Sequence, residues 1–472
     1  MRIGVVTLGC DKNTVDAEYI AGWLQKSGAE VARGDLEDAA LNAVVILTCG
    51  FIEAAVKESA GAINDWLDVK EERGPAFVVA VAGCLSQARA EELRAGFPGI
   101  DLIAGVGEFE ALARAIYERI EREQRRQASG EIQGAPAAGI PIVLRSGAPD
   151  AHIEAPAPRA SLAPSATAYL KIADGCDYAC AFCAIPQMKG RYRSVRPEIL
   201  LEEARGLVER GAREIILVAQ DVSVYGTDLG ADYRLPHLLR DLCATPGDFW
   251  LRVLYFYPGG FSDEMIEVIA TEPKICPYLD IPLQHLDPAV IAAMRRPYSE
   301  VKVLEWIERL RARIPDVALR TTFIAGFPGE GKKEFMRLLN GLRTIRFDNV
   351  GFFPFSPQEN TPAAAMPHQV SESVKTERCE RLARRQQQIA EELGRRFMGK
   401  RIEVLVDGRF EGTDLYIGHS RWQAPEIDGM TRFVSRAALE PGAVVTVEIT
   451  RAEGFDLVGE AVGHSRIPDE SI

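Results

Sequence analysis

Short apolar runs alternate with amphipathic segments along the first part of the chain. The runs predict four buried strands, at residues 2–7, 44–48, 77–82 and 101–104. The segments between them carry apolar residues at helical spacing, at residues 16–26, 54–69 and 87–95. Buried strands that alternate with helices are typical of a parallel sheet covered by helices. We therefore predict a Rossmann-like α/β domain over residues 1–124.

The same alternation returns further along the chain. Six apolar runs predict strands at residues 169–173, 214–219, 250–255, 278–283, 319–325 and 349–353. Amphipathic helices are predicted between them, at residues 197–210, 262–270, 301–313 and 333–345. Six β/α units with right-handed crossovers form a partial barrel, a shorter relative of the eightfold β/α barrel. The sequence therefore predicts a partial (β/α)6 barrel over residues 167–398.

The pattern changes again towards the C-terminus. A helix is predicted at residues 374–401, and short alternating runs follow at residues 402–407, 415–418, 431–434, 444–450 and 457–461. Short strands separated by turns predict a small antiparallel β-barrel over residues 399–472. Residues 125–166 are rich in Ala, Pro and Gly and have little apolar periodicity, so we predict an exposed linker or a loosely ordered insertion, without chemistry.

The composition is that of an ordinary globular protein, with 47% hydrophobic and 26% charged residues among 472. No apolar run approaches the ~20 residues that a membrane-spanning helix requires. Nine cysteines without an export signal predict reduced thiols, metal ligation and a cytoplasmic location. The net charge of −13 disfavours general nucleic-acid binding, although a local basic patch could still bind RNA.

Three closely spaced cysteines directly follow the first strand of the predicted central barrel. They have a C-x3-C-x2-C spacing, at Cys176, Cys180 and Cys183, and no other cysteine lies between Cys84 and Cys243. A closed structural zinc site requires four Cys or His ligands, so three fit it badly. Three thiolates on a four-iron cluster leave one iron open to an outside ligand. The active sites of β/α barrels lie at the C-terminal ends of the strands, so we predict such a cluster at the barrel mouth.

Three further cysteines occupy equivalent positions in the predicted N-terminal domain. Cys10, Cys49 and Cys84 each lie one to three residues beyond the end of a predicted strand. The carboxyl ends of parallel strands share one edge of the sheet, where ligands bind, so three loops can bring three thiolates together. The alternative is three unrelated buried cysteines, since free cysteine is often buried. We favour a second cluster, again with one open iron.

Polar residues at the other strand ends of the central barrel are further candidates. Gln220 and Asp221 follow the second strand, and Gln284 and His285 follow the fourth. The fifth strand and the loop after it contribute Arg320, Thr322, Gly326 and Glu330. A glycine beside a strand end allows a ligand to approach the backbone closely. Each of these residues could instead be an ordinary, hydrogen-bonded polar group at the barrel rim.

The cysteine triplet, with Phe182 before its third cysteine, resembles the radical S-adenosylmethionine (SAM) superfamily. The whole domain order, apart from the linker, resembles the methylthiotransferases, in which the terminal barrel is called the TRAM domain. MiaB-like members act on an isopentenyl-adenosine of tRNA. RimO-like members act on an aspartate of small-subunit ribosomal protein twelve, a basic protein.

Three short motifs favour the RimO-like branch, at residues 7–13 (TLGCDKN), 83–87 (GCLSQ) and 424–429 (APEIDG). The chain departs from the family at Asp11, where proline is common, and at Gly331, where threonine is usual. Residues 399–472 contain eight Lys and Arg against thirteen Asp and Glu. A tRNA substrate would prefer the opposite charge, so the acidic barrel also favours a basic protein substrate.

The resemblance implies a division of labour between the two cysteine sets. The triplet would hold the 4Fe-4S cluster that cleaves SAM to a radical, and Cys10, Cys49 and Cys84 would hold an auxiliary 4Fe-4S cluster that carries the sulfur. One SAM methylates that sulfur, and a second provides the radical that removes hydrogen from the aspartate β-carbon. Contacts with SAM are expected from Phe182, Gln220, Asp221, Gln284, Arg320, Gly326 and Glu330.

The resemblance also implies partners and leaves alternatives. We expect ribosomal protein twelve as the substrate, a low-potential electron donor such as flavodoxin or ferredoxin, no membrane partner and no direct tRNA binding. A MiaB-like tRNA methylthiotransferase shares both cysteine sets, so only the substrate distinguishes it. A non-catalytic iron–sulfur electron carrier would show cluster reduction without SAM cleavage, and it would give no reason for the large barrel.

Overall fold

The computed structural model describes residues 1–463 apart from 129–141, 145–156, 163–164, 231, 297 and 299. Most of the predicted linker at 125–166 therefore lies outside the described residues. Within the described ranges, no helix is both long enough and apolar enough to cross a lipid bilayer.

The N-terminal part is a six-stranded parallel sheet with strand order β2-β1-β3-β4-β5-β6. The strands are β1 Arg2–Thr7, β2 Glu30–Arg33, β3 Ala43–Thr48, β4 Val78–Gly83, β5 Leu102–Ala104 and β6 Ile142–Leu144. The helices are α1 Asp11–Lys26, α2 Glu53–Arg73, α3 Cys84–Gly96 and α4 Phe109–Ala128. Strands β3 and β4 are buried at every position, which explains their unbroken apolar sequences. The predicted α/β architecture is confirmed.

The sequence missed two short strands of this sheet and misjudged the exposure of Arg159 and Ala160 in the linker, whose side chains are both buried. Strands β2 and β6 have four and three residues, too few to show a clear pattern, and β6 lies inside the predicted linker. Arg159, also predicted to be exposed, has a side chain that is only 5% exposed. It donates to Glu203 at 2.5 Å and to the Tyr169 carbonyl at 2.7 Å. It also donates to Glu18 on α1 at 2.6 Å, so this part of the stretch ties the N-terminal domain to the central barrel.

The central part is a partial barrel made of two parallel three-stranded sheets, β11-β10-β7 and β12-β13-β14. Its strands, with a small β8–β9 pair, are β7 Thr167–Lys171, β8 Ala173–Asp174, β9 Arg193–Ser194, β10 Glu214–Val218, β11 Trp250–Val253, β12 Tyr278–Asp280, β13 Ala318–Ala325 and β14 Asn349–Pro354. Its helices are α5 Ile185–Lys189, α6 Pro197–Glu209, α7 Leu235–Cys243, α8 Asp263–Thr271, α9 Pro288–Ala293, α10 Glu300–Arg313, α11 Lys332–Ile345 and α12 Glu372–Gly394. An isolated bridge between Leu251 and Ile275 links the two halves.

The C-terminal part is a closed barrel with strand order β15-β16-β17-β19-β18. Its strands are β15 Arg401–Arg409, β16 Leu415–Ser420, β17 Thr431–Val434, β18 Val444–Glu453 and β19 Asp456–Ala461. The predicted small barrel is confirmed, but it is not wholly antiparallel, because β17 and β19 pair in parallel. A closed ring with an odd number of strands cannot alternate direction all the way round. One parallel pair is therefore a geometric necessity.

The C-terminal barrel docks against the inside of the central barrel through buried charges. Glu214 and Arg252 are both fully buried and lie 2.8 Å apart. Arg252 also donates to the carbonyl oxygens of Ser420 and Arg421, each at 3.1 Å. His419 lies 2.8 Å from the same Glu214 carboxylate. Burial opposes the charge of His419, but the carboxylates outweigh it and raise its pKa from 6.5 to about 9.

This arrangement predicts a pH dependence of the docking. A histidine whose pKa is raised in the folded state stabilises that state fully below pH 6.5 and loses the effect as pH rises through about 9. We expect protection of the C-terminal barrel from hydrogen exchange to fall between these pH values in the wild type. His419→Gln should abolish this dependence, whereas His368→Asn, at an exposed histidine, should keep it. Equal pH profiles for wild type and His419→Gln would contradict the assignment.

Candidate active site

The three N-terminal cysteines lie at one edge of the sheet. Strands β1, β3 and β4 are neighbours in the sheet. Cys10 directly precedes α1, Cys49 directly follows β3, and Cys84 is the first residue of α3. A Cβ atom on Gly9 would lie only 2.6 Å from Cβ of Cys49 and 3.1 Å from its sulfur. The loops that carry Cys10 and Cys49 are therefore packed as tightly as a glycine allows.

Two of the three thiols in this set are shielded from water, which favours a role as metal ligands. Cys49 and Cys84 are 8% and 7% exposed, and Cys10 is exposed. The pKa of Cys84 is raised to about 12, mainly by burial and also by the neighbouring Cys10 and Cys49 sulfurs, although Lys189 opposes the rise. Three neighbouring thiolates need a countercharge, and a bound metal centre deprotonates its thiol ligands outright. The donor set fits an iron–sulfur cluster.

The triplet lies in the loop after β8. Gly175 has φ +77°, and a Cβ atom there would lie 2.0 Å from the carbonyl oxygen of Arg191, so only glycine fits. The Cys176 amide donates to the Gly190 carbonyl at 3.1 Å, and the Cys183 amide donates to the Cys180 carbonyl at 3.2 Å. Burial raises the pKa of Cys183 to about 12 and that of Cys176 to about 11. The triplet is thus a second set of thiol donors that fits an iron–sulfur cluster.

Neither set is gathered around a point. Among the described residues, no three His, Cys, Asp or Glu side chains come close enough to bind a single metal ion. A four-iron cluster attaches each thiolate to a different iron and so spaces its ligands more widely than one ion does. The described residues therefore offer no site for a single metal ion such as zinc.

The two cysteine sets are close neighbours across the domain boundary. Cys84 packs in one hydrophobic cluster with Ala184 and Met188, and Ile185 borders the same cluster. Ala184 directly follows the last cysteine of the triplet, Cys183. The two candidate cluster sites are thus separated by helix α5 and a few apolar side chains.

A buried network of opposite charges, here called the lysine bridge, lies beside this contact. It consists of Asp16 on α1, Lys171 on β7, Asp174 on β8 and Lys189 on α5. Lys189 lies 3.2 Å from Asp16 and 3.4 Å from Asp174, and its side chain is 2% exposed. Burial opposes its charge, but Asp16 and Asp174 outweigh it and raise the pKa of Lys189 well above its usual value. The lysine bridge fixes the N-terminal domain against the barrel mouth.

Arg296 is a residue of the site that the sequence did not single out. A guanidinium nitrogen of Arg296 lies 3.7 Å from the Cys180 sulfur, and the group stacks over the Tyr257 ring at 4.3 Å. It also donates to the Pro282 carbonyl at 2.5 Å. A fixed cation beside the triplet balances the negative charge that thiolates bring. Its position depends on the α9 segment folding back over the loop, which no local motif encodes.

Asp221 and Gln220, both predicted to contact SAM, already have protein partners. Asp221 accepts from the Tyr178 hydroxyl at 2.9 Å and from the backbone of Ser223 at 2.8 Å. Tyr178 stacks on Tyr257 with ring centroids 4.0 Å apart, so Asp221 orders an aromatic wall beside the triplet. Gln220 donates to Asp174 at 3.2 Å, while its side-chain oxygen is buried without a hydrogen-bond partner among the described residues. That oxygen can accept a hydrogen bond from a ligand.

Arg320 is placed deeper in the barrel than the triplet. It donates to Asp280 at 2.9 Å, and Asp428 of the C-terminal barrel lies 3.3 Å from its Nε. The Tyr278 hydroxyl donates to the same Asp428 at 2.7 Å. The 424–429 motif thus inserts a carboxylate into the barrel interior. Contact between Arg320 and SAM stays a prediction, as do those of Phe182, buried against Phe327, and of Gln284, which has φ +68°.

The loop from Gly326 to Glu330 is held from behind by helix α12. The Glu330 carboxylate accepts from the Gly326 amide at 3.0 Å and from Arg378 at 2.5 Å, and lies 3.2 Å from His285. A Cβ atom on Gly326 would lie 2.4 Å from Cγ of Lys375. Glu330 therefore holds the backbone of this loop in place, and Arg378 in turn holds the Glu330 carboxylate.

Comparisons with known protein families assign each of the three parts of the chain to a family. Residues 170–342 match the Radical SAM superfamily, residues 2–105 match Uncharacterized protein family UPF0004, and residues 398–462 match the TRAM domain. A solved structure of the radical SAM methyltransferase TsrM from Kitasatospora setae superimposes with a TM-score of 0.55 at 16% identity, over 77% of each chain. The fold and the cysteine triplet define a radical SAM protein.

Full-length relatives narrow the class further. The chain is 43% identical to ribosomal protein uS12 methylthiotransferase RimO of Anaeromyxobacter sp. (strain Fw109-5), over 98% of this chain and 93% of that one. It is 38% identical to the RimO protein of Geobacter sulfurreducens, over 98% of each chain. The chain belongs to the RimO family of methylthiotransferases. It is therefore a radical SAM methylthiotransferase, with two [4Fe–4S] clusters and SAM as its cofactors.

The Arg378–Glu330 pair leads to a prediction about SAM binding. Arg378→Met would leave Glu330 buried beside His285 without its cation, and breaking a buried pair in this way costs about 3 kcal/mol or more. Because Glu330 shapes the Gly326 loop, we expect the reconstituted enzyme to bind SAM roughly tenfold more weakly. Equilibrium dialysis with labelled SAM measures this. The matched control is Arg381→Met, one turn along α12, whose pair with Glu377 is on the surface. Equal SAM affinity in the two variants would contradict the role of Arg378.

Proposed function

We propose that this protein adds a methylthio group to the β-carbon of an aspartate in small-subunit ribosomal protein uS12, using two molecules of SAM. The family supports the reaction class, and the RimO relatives are named for this substrate. The observation that carries the proposal is the contact of Cys84 with the segment directly after Cys183. Sulfur delivery and radical formation need two centres that face one substrate, and this contact supports such an arrangement.

The chain's own residues divide the work around these centres. We propose that Cys176, Cys180 and Cys183 hold the SAM-cleaving cluster, and that Cys10, Cys49 and Cys84 hold the auxiliary cluster. When bound, these groups supply the electron that cleaves SAM and the sulfur that is transferred. Arg296 balances charge at the triplet, and the stacked Tyr178 and Tyr257 rings exclude water from one side of it. The lysine bridge keeps the two sites at a constant separation.

The charge distribution supports a protein substrate over tRNA. The C-terminal barrel is acidic, and the whole chain carries a net charge of −13. Polyanionic RNA would be repelled by such a surface, whereas a basic ribosomal protein would be attracted. The proposal therefore includes no direct tRNA binding. It also includes a low-potential electron donor of the flavodoxin or ferredoxin type and a cytoplasmic site of action, where thiols stay reduced.

A single mass-spectrometry experiment tests the substrate. The anaerobically reconstituted enzyme receives dithionite, SAM and sulfide, together with a uS12 peptide and isopentenyl-adenosine tRNA. We expect the mass increase of one methylthio group on the peptide aspartate and none on the tRNA. A gain on tRNA alone would keep the reaction and overturn the substrate, and a gain on neither despite 5′-deoxyadenosine formation would place the sulfur-delivery role in doubt.

Cysteine variants test the two donor sets separately. Replacing Cys10, Cys49 and Cys84 together by alanine should remove about half of the bound iron and abolish methylthiolation, but leave SAM cleavage intact, because the triplet still holds its cluster. Replacing the triplet should abolish both activities and again remove about half of the iron. The double variant Cys243→Ser and Cys379→Ser, at cysteines outside both sets, is the control and should keep its full iron content. Loss of SAM cleavage from the first variant would contradict the division.

A further inference from the structure

A small group of polar residues, here called the Lys12 constellation, lies between the Cys10 loop and the barrel mouth. Helix α1 begins at Asp11, directly after Cys10. The Lys12 ammonium lies 3.0 Å from the Asp11 carboxylate and 3.4 Å above the centroid of the Tyr255 ring. The Tyr255 hydroxyl donates to the same Asp11 oxygen at 3.2 Å. The constellation thus joins the first cysteine loop to the chain just after strand β11.

The geometry of Tyr255 is specialised. It is a non-glycine residue with φ +65°, a left-handed conformation that aromatic residues rarely adopt. Its backbone amide donates to Asp280 at 3.2 Å, and the Val222 amide donates to its carbonyl oxygen at 3.1 Å. These bonds hold the strained backbone in place. The result is an aromatic ring aimed at Lys12.

The hydrogen-bonding capacity of this group is not used up. An ammonium group has three donors, and in the described part of the chain Asp11 is the one acceptor of Lys12 while the Tyr255 ring faces it from another side. The second carboxylate oxygen of Asp11 is buried and has no partner among the described residues. Buried polar groups are normally satisfied, so a spare donor beside a spare acceptor points to a polar ligand that uses them.

Three other buried cations of the central barrel are each balanced by two carboxylates. Lys171 and Lys189 share Asp16 and Asp174, and Arg320 lies between Asp280 and Asp428. Lys12 has a single carboxylate partner, and its side chain is still 12% exposed. Among these buried cations of the described structure, it is the one best placed to accept a second carboxylate.

We propose that Lys12 binds the side-chain carboxylate of the substrate aspartate, and that Asp11 and Tyr255 are positioning residues that hold its ammonium group beside Cys10. This inference rests on the proposed function. The β-carbon that receives the sulfur is bonded directly to that carboxylate carbon, so a carboxylate anchored beside Cys10 brings the reacting carbon to the auxiliary site. An asparagine side chain is neutral, so it would lack the charge attraction to the ammonium group and bind less well.

A binding cycle between enzyme and peptide tests this contact. The holoenzyme, wild type or Lys12→Met, is titrated anaerobically into a labelled uS12 peptide, or into the same peptide with asparagine in place of the aspartate, and fluorescence anisotropy gives the Kd. We expect the wild type to prefer the aspartate peptide by about 10- to 100-fold. Lys12→Met should lose this preference and keep its affinity for the asparagine peptide.

Three comparisons separate recognition from a structural role. Lys12→Arg should retain most of the preference, since it keeps the charge. Lys26→Met, at the exposed end of the same helix, should behave as the wild type. Iron content and 5′-deoxyadenosine formation are measured in Lys12→Met as well, because their loss would show a structural role for Lys12. An equal loss of affinity for both peptides in that variant would show that Lys12 only maintains the fold, and the proposal would be overturned.

The proposal can also fail independently of the proposed function. If the wild type methylthiolates the peptide but does not distinguish aspartate from asparagine in binding, the assignment of Lys12 is wrong and the function stands. If the wild type modifies tRNA and not the peptide, the proposed substrate is wrong, and the assignment of Lys12 falls with it.

Discussion

The structure depends on charges that are buried where its domains meet. In the lysine bridge, one aspartate from helix α1 and two lysines and one aspartate from the central barrel are largely removed from water. Desolvating such groups is expensive, and removing one partner of a buried pair costs about 3–5 kcal/mol. The bridge therefore tolerates little displacement. Because α1 carries both Asp16 and the Cys10 loop, holding Asp16 also holds Cys10 relative to the triplet.

Buried charge pairs also attach the C-terminal barrel to the central barrel, away from the barrel mouth. A partial barrel leaves its interior open, and that interior must be filled if its polar side chains are to be satisfied. His419 and Asp428 fill it from one side by pairing with Glu214 and Arg320. Arg320 shows that a buried charge at a barrel strand can serve the packing of domains rather than a ligand. Its place in a barrel strand suggests a ligand contact, yet both of its carboxylate partners are protein groups.

Local pattern and long-range contact explain what the sequence could and could not predict. Cysteines after strand ends are visible because strands read as apolar runs, and parallel strands place their ends together. Arg296 and Arg378 act through residues more than 40 positions away, at Cys180 and Glu330, so no motif reveals them. The parallel β17–β19 pair depends on ring closure, which is a property of the whole barrel.

Asp11 shows how one departure from a family pattern can change a site without changing the fold. Proline is well suited to the first position of a helix, because its ring has a helical φ and its missing N–H is not needed there. Aspartate also suits a helix start, since its charge favours the N-terminal end of the helix dipole. Only aspartate adds an acceptor, which here engages both Lys12 and the Tyr255 hydroxyl. The substitution thus preserves the start of α1 and couples the first cysteine loop to the wall of the barrel.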